Sequence, residues 1–229
     1  MSQNPQTKEK QYSVLLDVKN EVGVAKLGLM TNQVWHDDPR RLGFVLSRYK
    51  FAAKMLSGRG KVGEVGCGDA FGSRIVLQEV KELHVYDFDP IFIADVQERE
   101  VERWPLHPHV HDVLLDGPLP QAPFDALYSI DVMEHIPQAQ EDVYLTNLKQ
   151  SLAPHGVLLV GMPSLESQAH ASPPSKAGHV NCKAGKDLKA VMQRHFHNVF
   201  LFSMNDEVVH TGFSPMAQYI LALCCEAKP

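Results

Sequence analysis

Basic residues are in short supply in this chain, with 22 Lys and Arg against 27 Asp and Glu in 229 residues, a formal charge of −5 and a pI near 6.2. Neutralising a phosphate backbone takes clustered Lys and Arg, so a nucleic-acid partner is not expected. Long apolar runs are missing as well. No stretch approaches the roughly 20 residues that cross a bilayer, and the opening MSQNPQTKEKQ is polar throughout, without the apolar centre of an export signal. Membrane insertion and secretion are therefore not expected, and a cytoplasmic location is. Cysteine is sparse: Cys67, Cys182, Cys224 and Cys225 include no C-x-x-C pair, which argues against a zinc or dithiol centre and for reduced thiols. Internal repeats are absent, and low complexity is confined to the polar start, expected to be disordered to about Lys10.

What is present is a chain 44% hydrophobic, long enough for one sizeable core, so residues 11–229 are expected to form a single domain. Apolar positions at helical spacing predict helices over residues 14–29 and 38–56, the second carrying Leu42, Val45, Leu46, Tyr49 and Met55. The TNQVWHDDPRR segment between them reads as a connecting loop. Strand and helix signals then alternate: strands KVGEV, ELHVYD, HVHDV, FDALYSI and GVLLVGM, with helices over residues 71–80, 90–103 and 138–152. Alternation of this kind predicts a doubly wound α/β fold, and GVLLVGM has the continuous apolar run of a parallel strand buried on both faces. A further helix over 187–196 and strands over 199–204 and 218–225 complete seven strands, mostly parallel, with the last two paired antiparallel at the sheet edge.

The segment KVGEVGCGDAFGSRI lies where such a sheet binds ligands, in the first strand-to-helix turn. Glycines alone are weak evidence, because they also serve tight turns and close packing. Gly66, Gly68 and Gly72 are spaced G-x-G-x-x-x-G, unlike the dinucleotide G-x-G-x-x-G, and no G-K-[ST] makes a P-loop. Glu64 and Asp69 flank the turn, where a carboxylate would compete with a phosphate for the helix N-terminus. Asp87 ends the second strand 21 positions after Gly66, near the spacing of about 20 for a carboxylate on ribose hydroxyls. The ligand implied carries ribose and positive charge and lacks phosphate.

With these motifs the chain resembles the class I SAM-dependent methyltransferases from about Lys61 to Met162. In family order they are EVGCGDAFG, VYDFDP, HDV, FDALYSIDVMEHIP and LAPHGVLLVGMP. Ala70 departs from the pattern, standing where many members have another glycine. The resemblance implies S-adenosylmethionine (SAM) as cofactor and divides the domain into a helical cap (11–60), a SAM-binding core (61–162) and an acceptor loop with sheet edge (163–229). It implies that Gly66, Cys67 and Gly68 approach the methionine part. Glu64 would order the turn and attract the ammonium, and Asp87 would take the ribose hydroxyls. Phe88 would pack on adenine, Asp112 and the backbone of Val113 would read its amino group, and Ile130 and Asp131 would line the methionine side.

Methyl transfer is an in-line displacement in which a sulfonium becomes a neutral thioether, so alignment supplies much of the acceleration. A base matters for a hydroxyl or a protonated amine, and histidine suits that role near neutral pH. Of twelve histidines, His135 in MEHIP matches a pocket-lining position of the family and is read as packing and orienting. His179 sits in the polar loop PSLESQAHASPPSKAGHVNCKAG; loops longer than about 12–15 residues are commonly functional or disordered. It is read as base or substrate contact, against the alternative of a solvated loop residue. His107, His109 and His111 share one face of an extended segment, but no carboxylate or cysteine completes the set, and no metal is expected. From the cap, Trp35, His36, Arg48 and Tyr49 are pocket candidates, although Tyr49 also fits a core stripe and Arg48 a solvated charge. The expected reaction methylates a hydroxyl of a small molecule such as a sugar or biosynthetic metabolite. The alternatives are a small amine acceptor, a non-catalytic SAM-binding protein, and a nicotinamide oxidoreductase. The chain is expected to be a monomer or homodimer with no nucleic-acid or membrane partner.

Overall fold

The computed structural model describes residues 6–229. Five strands, β1 (Lys61–Val65), β2 (Glu82–Asp87), β3 (His107–Val110), β4 (Phe124–Ile130) and β5 (Leu152–Pro163), lie parallel in the order β3-β2-β1-β4-β5. Beyond them come β6 (Phe196–Asn205), β7 (Val208–His210) and β8 (Tyr219–Ala227), with β8 inserted antiparallel between β5 and β6. The fold is the mostly parallel α/β sheet that the alternation predicts, with antiparallel strands at the end. It has eight strands among the described residues, not seven. The extra one is β7, which folds back on β6 through Asp206 at φ +50° and pairs Met204 with Val209. Three residues are too few for an alternation signal, so nothing local announced it.

The helices are α1 (Ser13–Val22), α2 (Leu29–Asp37), α3 (Arg40–Leu56), α4 (Ser73–Leu77), α5 (Pro90–Glu98), α6 (Glu141–Gln150), α7 (Pro173–Gly178) and α8 (Gly185–His195). Apolar layers cover both sheet faces, one built with α3, α4 and α5, the other with α6 and α8. On α3 the buried stripe is Tyr49, Ala52, Ala53 and Leu56. Leu56, two turns after Tyr49, completes it, whereas Met55 falls off that face and is exposed. The helix expected over 14–29 stops at Gly23, whose φ of +80° forms a left-handed cap with its N–H on the Lys19 carbonyl.

The expected loop over 31–41 is mostly α2, and its caps explain why. The Leu29 N–H donates to the Asp95 carboxylate at 3.2 Å, and the Thr31 N–H to Asp69 Oδ2 at 2.7 Å. Both partners are distant in sequence, so the orphan donors of the first turn are satisfied by tertiary contacts with no local capping residue. After β5, the expected structureless loop contains a 3-10 turn over Glu166–His170 and then α7, capped by Ser172. The expected disordered start lies partly outside the described residues, and Lys10–Tyr12 already forms a 3-10 turn.

Candidate functional site

A cavity of about 860 Å³ opens at the carboxyl ends of β1 to β5, around the point where the chain turns from β1 towards β2 on one side and β4 on the other. That is where open α/β sheets bind ligands, and the volume suits a small-molecule site. Gly66, Cys67, Gly68, Asp87, Phe88, Asp112, Val113, Ile130, Asp131, His135 and His179 all line it. Glu64 does not.

Glu64 sits behind the glycine turn. Its carboxylate accepts from the hydroxyls of Tyr49 (2.9 Å), Tyr128 (2.6 Å) and Ser73. Burial outweighs these three donors and pushes its pKa up to about 7. Asp69 is similarly engaged by protein groups, accepting from Thr31 N–H and from Phe71 N–H at 3.1 Å. Glu64 organises the turn from behind it, and Asp69, which lines the cavity, docks α2. Gly66 is required by its φ of +77° and by Val132, whose Cγ2 would lie 2.2 Å from an added Cβ. Ala70 adopts φ +48°, the conformation that accounts for glycine being common there, with its methyl buried in the core. Burial also pushes the Cys67 thiol up, which keeps it protonated.

Along one wall, Asp87 accepts the Gly68 N–H at 2.9 Å through Oδ2 and the Asp89 N–H at 3.0 Å through Oδ1, tying β2 to the glycine turn. Phe88 is 71% exposed at the rim. Asp112 Oδ1 accepts from Leu114 N–H at 2.9 Å, and the Val113 carbonyl accepts from Asn147 at 2.7 Å. Asp131, at φ +59°, pairs with Arg48 at 2.5 Å. Arg48 is far from the solvated alternative: its guanidinium lies 3.9 Å over the Tyr219 ring and its side chain is 18% exposed. Arg48 and Tyr49 line the cavity, while Trp35 and His36 do not and stand exposed on α2.

The other end of the cavity holds Glu134, His135 and His179. His135 Nδ1 lies 2.9 Å from the Gly178 carbonyl and His179 Nδ1 lies 2.8 Å from Gln168 Oε1, with the two rings 5.1 Å apart. Burial and the neighbouring His135 push the His179 pKa down. Glu134, which the sequence reading passed over, is buried with neither carboxylate oxygen hydrogen-bonded, and burial and Asp131 push its pKa well up. Its backbone carbonyl accepts the N–H groups of Val180 (2.8 Å) and Asn181 (2.9 Å), which pins the His179 loop against the 3-10 turn Met133–His135 that follows β4. The HPHVH histidines divide: His111 lines the cavity, with Nε2 3.0 Å from the Gly117 carbonyl, whereas His107 and His109 pack on His84, which joins His109 (2.9 Å) to Glu82 (2.6 Å).

Residues 64–158 match the family model for a methyltransferase domain. The chain is also 31% identical over 117 residues to a probable S-adenosylmethionine-dependent methyltransferase of Mycolicibacterium smegmatis, covering 51% of this chain and 42% of that relative's length. The matched segment is similar to a methyltransferase domain, and the chain spans less than half the length of that curated relative. The fold of this chain is similar to that of the N-methyltransferase NodS of Bradyrhizobium japonicum in complex with S-adenosyl-L-homocysteine (TM-score 0.59, 19% identity, 84% of this chain and 90% of that one). It is similar also to that of the CurJ carbon methyltransferase (TM-score 0.57, 14% identity, 83% of this chain and 61% of that one). Among the described residues no helix is long and apolar enough to cross a membrane.

S-adenosylmethionine stands in the name of the Mycolicibacterium smegmatis relative, and the donor set here fits that cofactor. Each Asp87 oxygen accepts one backbone N–H and keeps a lone pair for a ribose hydroxyl. The Asp112 Oδ2 and the Val113 N–H carry no protein partner among the described residues, which suits an amino group beside a ring nitrogen.

Proposed function

We propose that this chain moves a methyl group from SAM to a hydroxyl of a small molecule such as a sugar or another biosynthetic metabolite. The observation that carries the reading is the pair of histidines at the end of the cavity away from Asp87 and Asp112. In each, Nδ1 faces a carbonyl oxygen and so carries the proton, leaving Nε2 with its lone pair. SAM, when bound, supplies a methyl group on a positively charged sulfur that leaves as a neutral thioether. Asp87 would hold its ribose, Asp112 and Val113 its adenine, and the Gly66–Gly68 backbone and Asp131 its methionine part. The chain's contribution is alignment, with the cavity walls holding the acceptor oxygen in line and His135 orienting it. As the oxygen forms its new bond to carbon, its proton passes to Nε2 of His179.

The same end supports a second reading, a small amine acceptor, because the unpaired Glu134 carboxylate would hold an ammonium group. The test is transfer of a labelled methyl from SAM into an extract of the source cells, with the position of the label in the product read by NMR. A methyl on oxygen, together with a fall in kcat of about 100-fold or more for His179→Ala, supports the hydroxyl reading. A methyl on nitrogen refutes it.

A further inference from the structure

We propose that Glu134, His135 and His179 bind a divalent first-row transition metal ion, Zn²⁺ or Mn²⁺, at the acceptor end of the cavity. One ligand-type atom from each of the three lies within 4.8 Å of the other two. The donor set is two imidazoles and a carboxylate, the combination that takes such ions and leaves coordination positions open for an outside oxygen. For a tetrahedral ion about 2.1 Å from each ligand, the ligand atoms stand roughly 3.4 Å apart, so the triad closes by up to about 1.4 Å on binding.

Two further observations point to a cation. Glu134 is 1% exposed, faces the cavity, and has no hydrogen-bond donor on either oxygen. A buried carboxylate is normally paired, and this one stands unmatched, since the adjacent Arg48 is already paired with Asp131. Each histidine, moreover, has its Nδ1 against a carbonyl oxygen, from Gly178 and from the Gln168 side chain. Such outer contacts set the tautomer and aim of metal-ligating imidazoles. The histidines of β2 and β3 differ, because there His84 and His109 use ring nitrogens on one another.

The metal's role rests on the hydroxyl reading above. An acceptor oxygen in an open coordination position would have its proton loosened by the ion, with His179 then a ligand and the proton passing to water. Binding of the metal itself does not depend on that reading. The test uses the full chain, stripped with EDTA and titrated with Zn²⁺ and Mn²⁺ by calorimetry, alongside Glu134→Gln and His179→Ala. SAM affinity, read at the opposite end of the cavity, reports whether each variant is folded. One equivalent bound by the parent chain, and at least about 100-fold weaker binding in both variants with SAM affinity kept, supports the site; loss of an outer contact alone costs 10–100-fold. Binding that is substoichiometric, or unchanged in Glu134→Gln, overturns it. An oxygen-methylated product formed at full rate in EDTA overturns the metal's role in the reaction and leaves the hydroxyl reading standing. Stoichiometric metal with a nitrogen-methylated product leaves the metal site standing and overturns the hydroxyl reading.

Discussion

Replacing Glu64 by Gln isolates the electrostatic cost of keeping an acid inside the glycine turn. Burial lifts this carboxyl from 4.5 to about 7 despite the hydroxyls of Ser73, Tyr128 and Tyr49. Between those values the folded chain holds a proton that the unfolded chain has lost, so unfolding becomes easier as pH rises. The contribution of Glu64 to stability is full below about pH 4.5, declines through that window, and levels off above about pH 7. A lift of this size corresponds to about 3 kcal/mol. Gln has no proton to lose, and the other carboxylates cancel when variant and parent are subtracted. Urea unfolding of both chains from pH 4.5 to 8, without SAM, is expected to show the difference moving in favour of Glu64→Gln by about 3 kcal/mol. A difference constant within about 0.5 kcal/mol, the usual error of additivity, would refute the reasoning. It would mean that three buried hydroxyls hold the anion as well as water does.

Gly66→Ala places a Cβ 2.2 Å from Val132 at φ +77°, so thermal unfolding should show a loss of about 2–3 kcal/mol with SAM binding weakened at least tenfold; unchanged affinity would contradict the close approach of this turn to the ligand. Asp87→Ala removes the acceptor for Gly68 and Asp89 N–H as well as the proposed ribose contact, and calorimetry should find SAM affinity down by about 100-fold, the scale of a charged hydrogen bond. Asp69→Ala removes the cap of α2 supplied across the fold; expected are a loss of about 1–2 kcal/mol and faster proteolytic cleavage within residues 23–39, and an unchanged cleavage rate would show that α2 docks without it.

The strands near the site were readable because their signals are local. KVGEV and GVLLVGM announce buried parallel strands by apolar runs, and EVGCGDAFG with Asp87 downstream announces the turn by spacing alone. Cap and edge were harder to read. The first turn of α2 is satisfied by Asp69 and Asp95, residues that no window around Leu29 contains, and β7 owes its pairing to the edge of β6. The functional acids divide in the same way. Asp69, Asp87 and Asp112 line the cavity, whereas Glu64 turns into the protein, and the burial of Glu134 beside His135 without a partner is invisible in a string of letters.

The sequence by itself determined the alternating strands of the parallel sheet and the glycine turn, since both follow from residue periodicity and spacing along the chain. Only the tertiary structure decided which carboxylates reach the cavity, that Arg48 pairs with Asp131, and that Glu134 meets His135 and His179. A charge acquires a direction and a partner only when the backbone around it is placed, and the elements that place these residues come from distant parts of the chain.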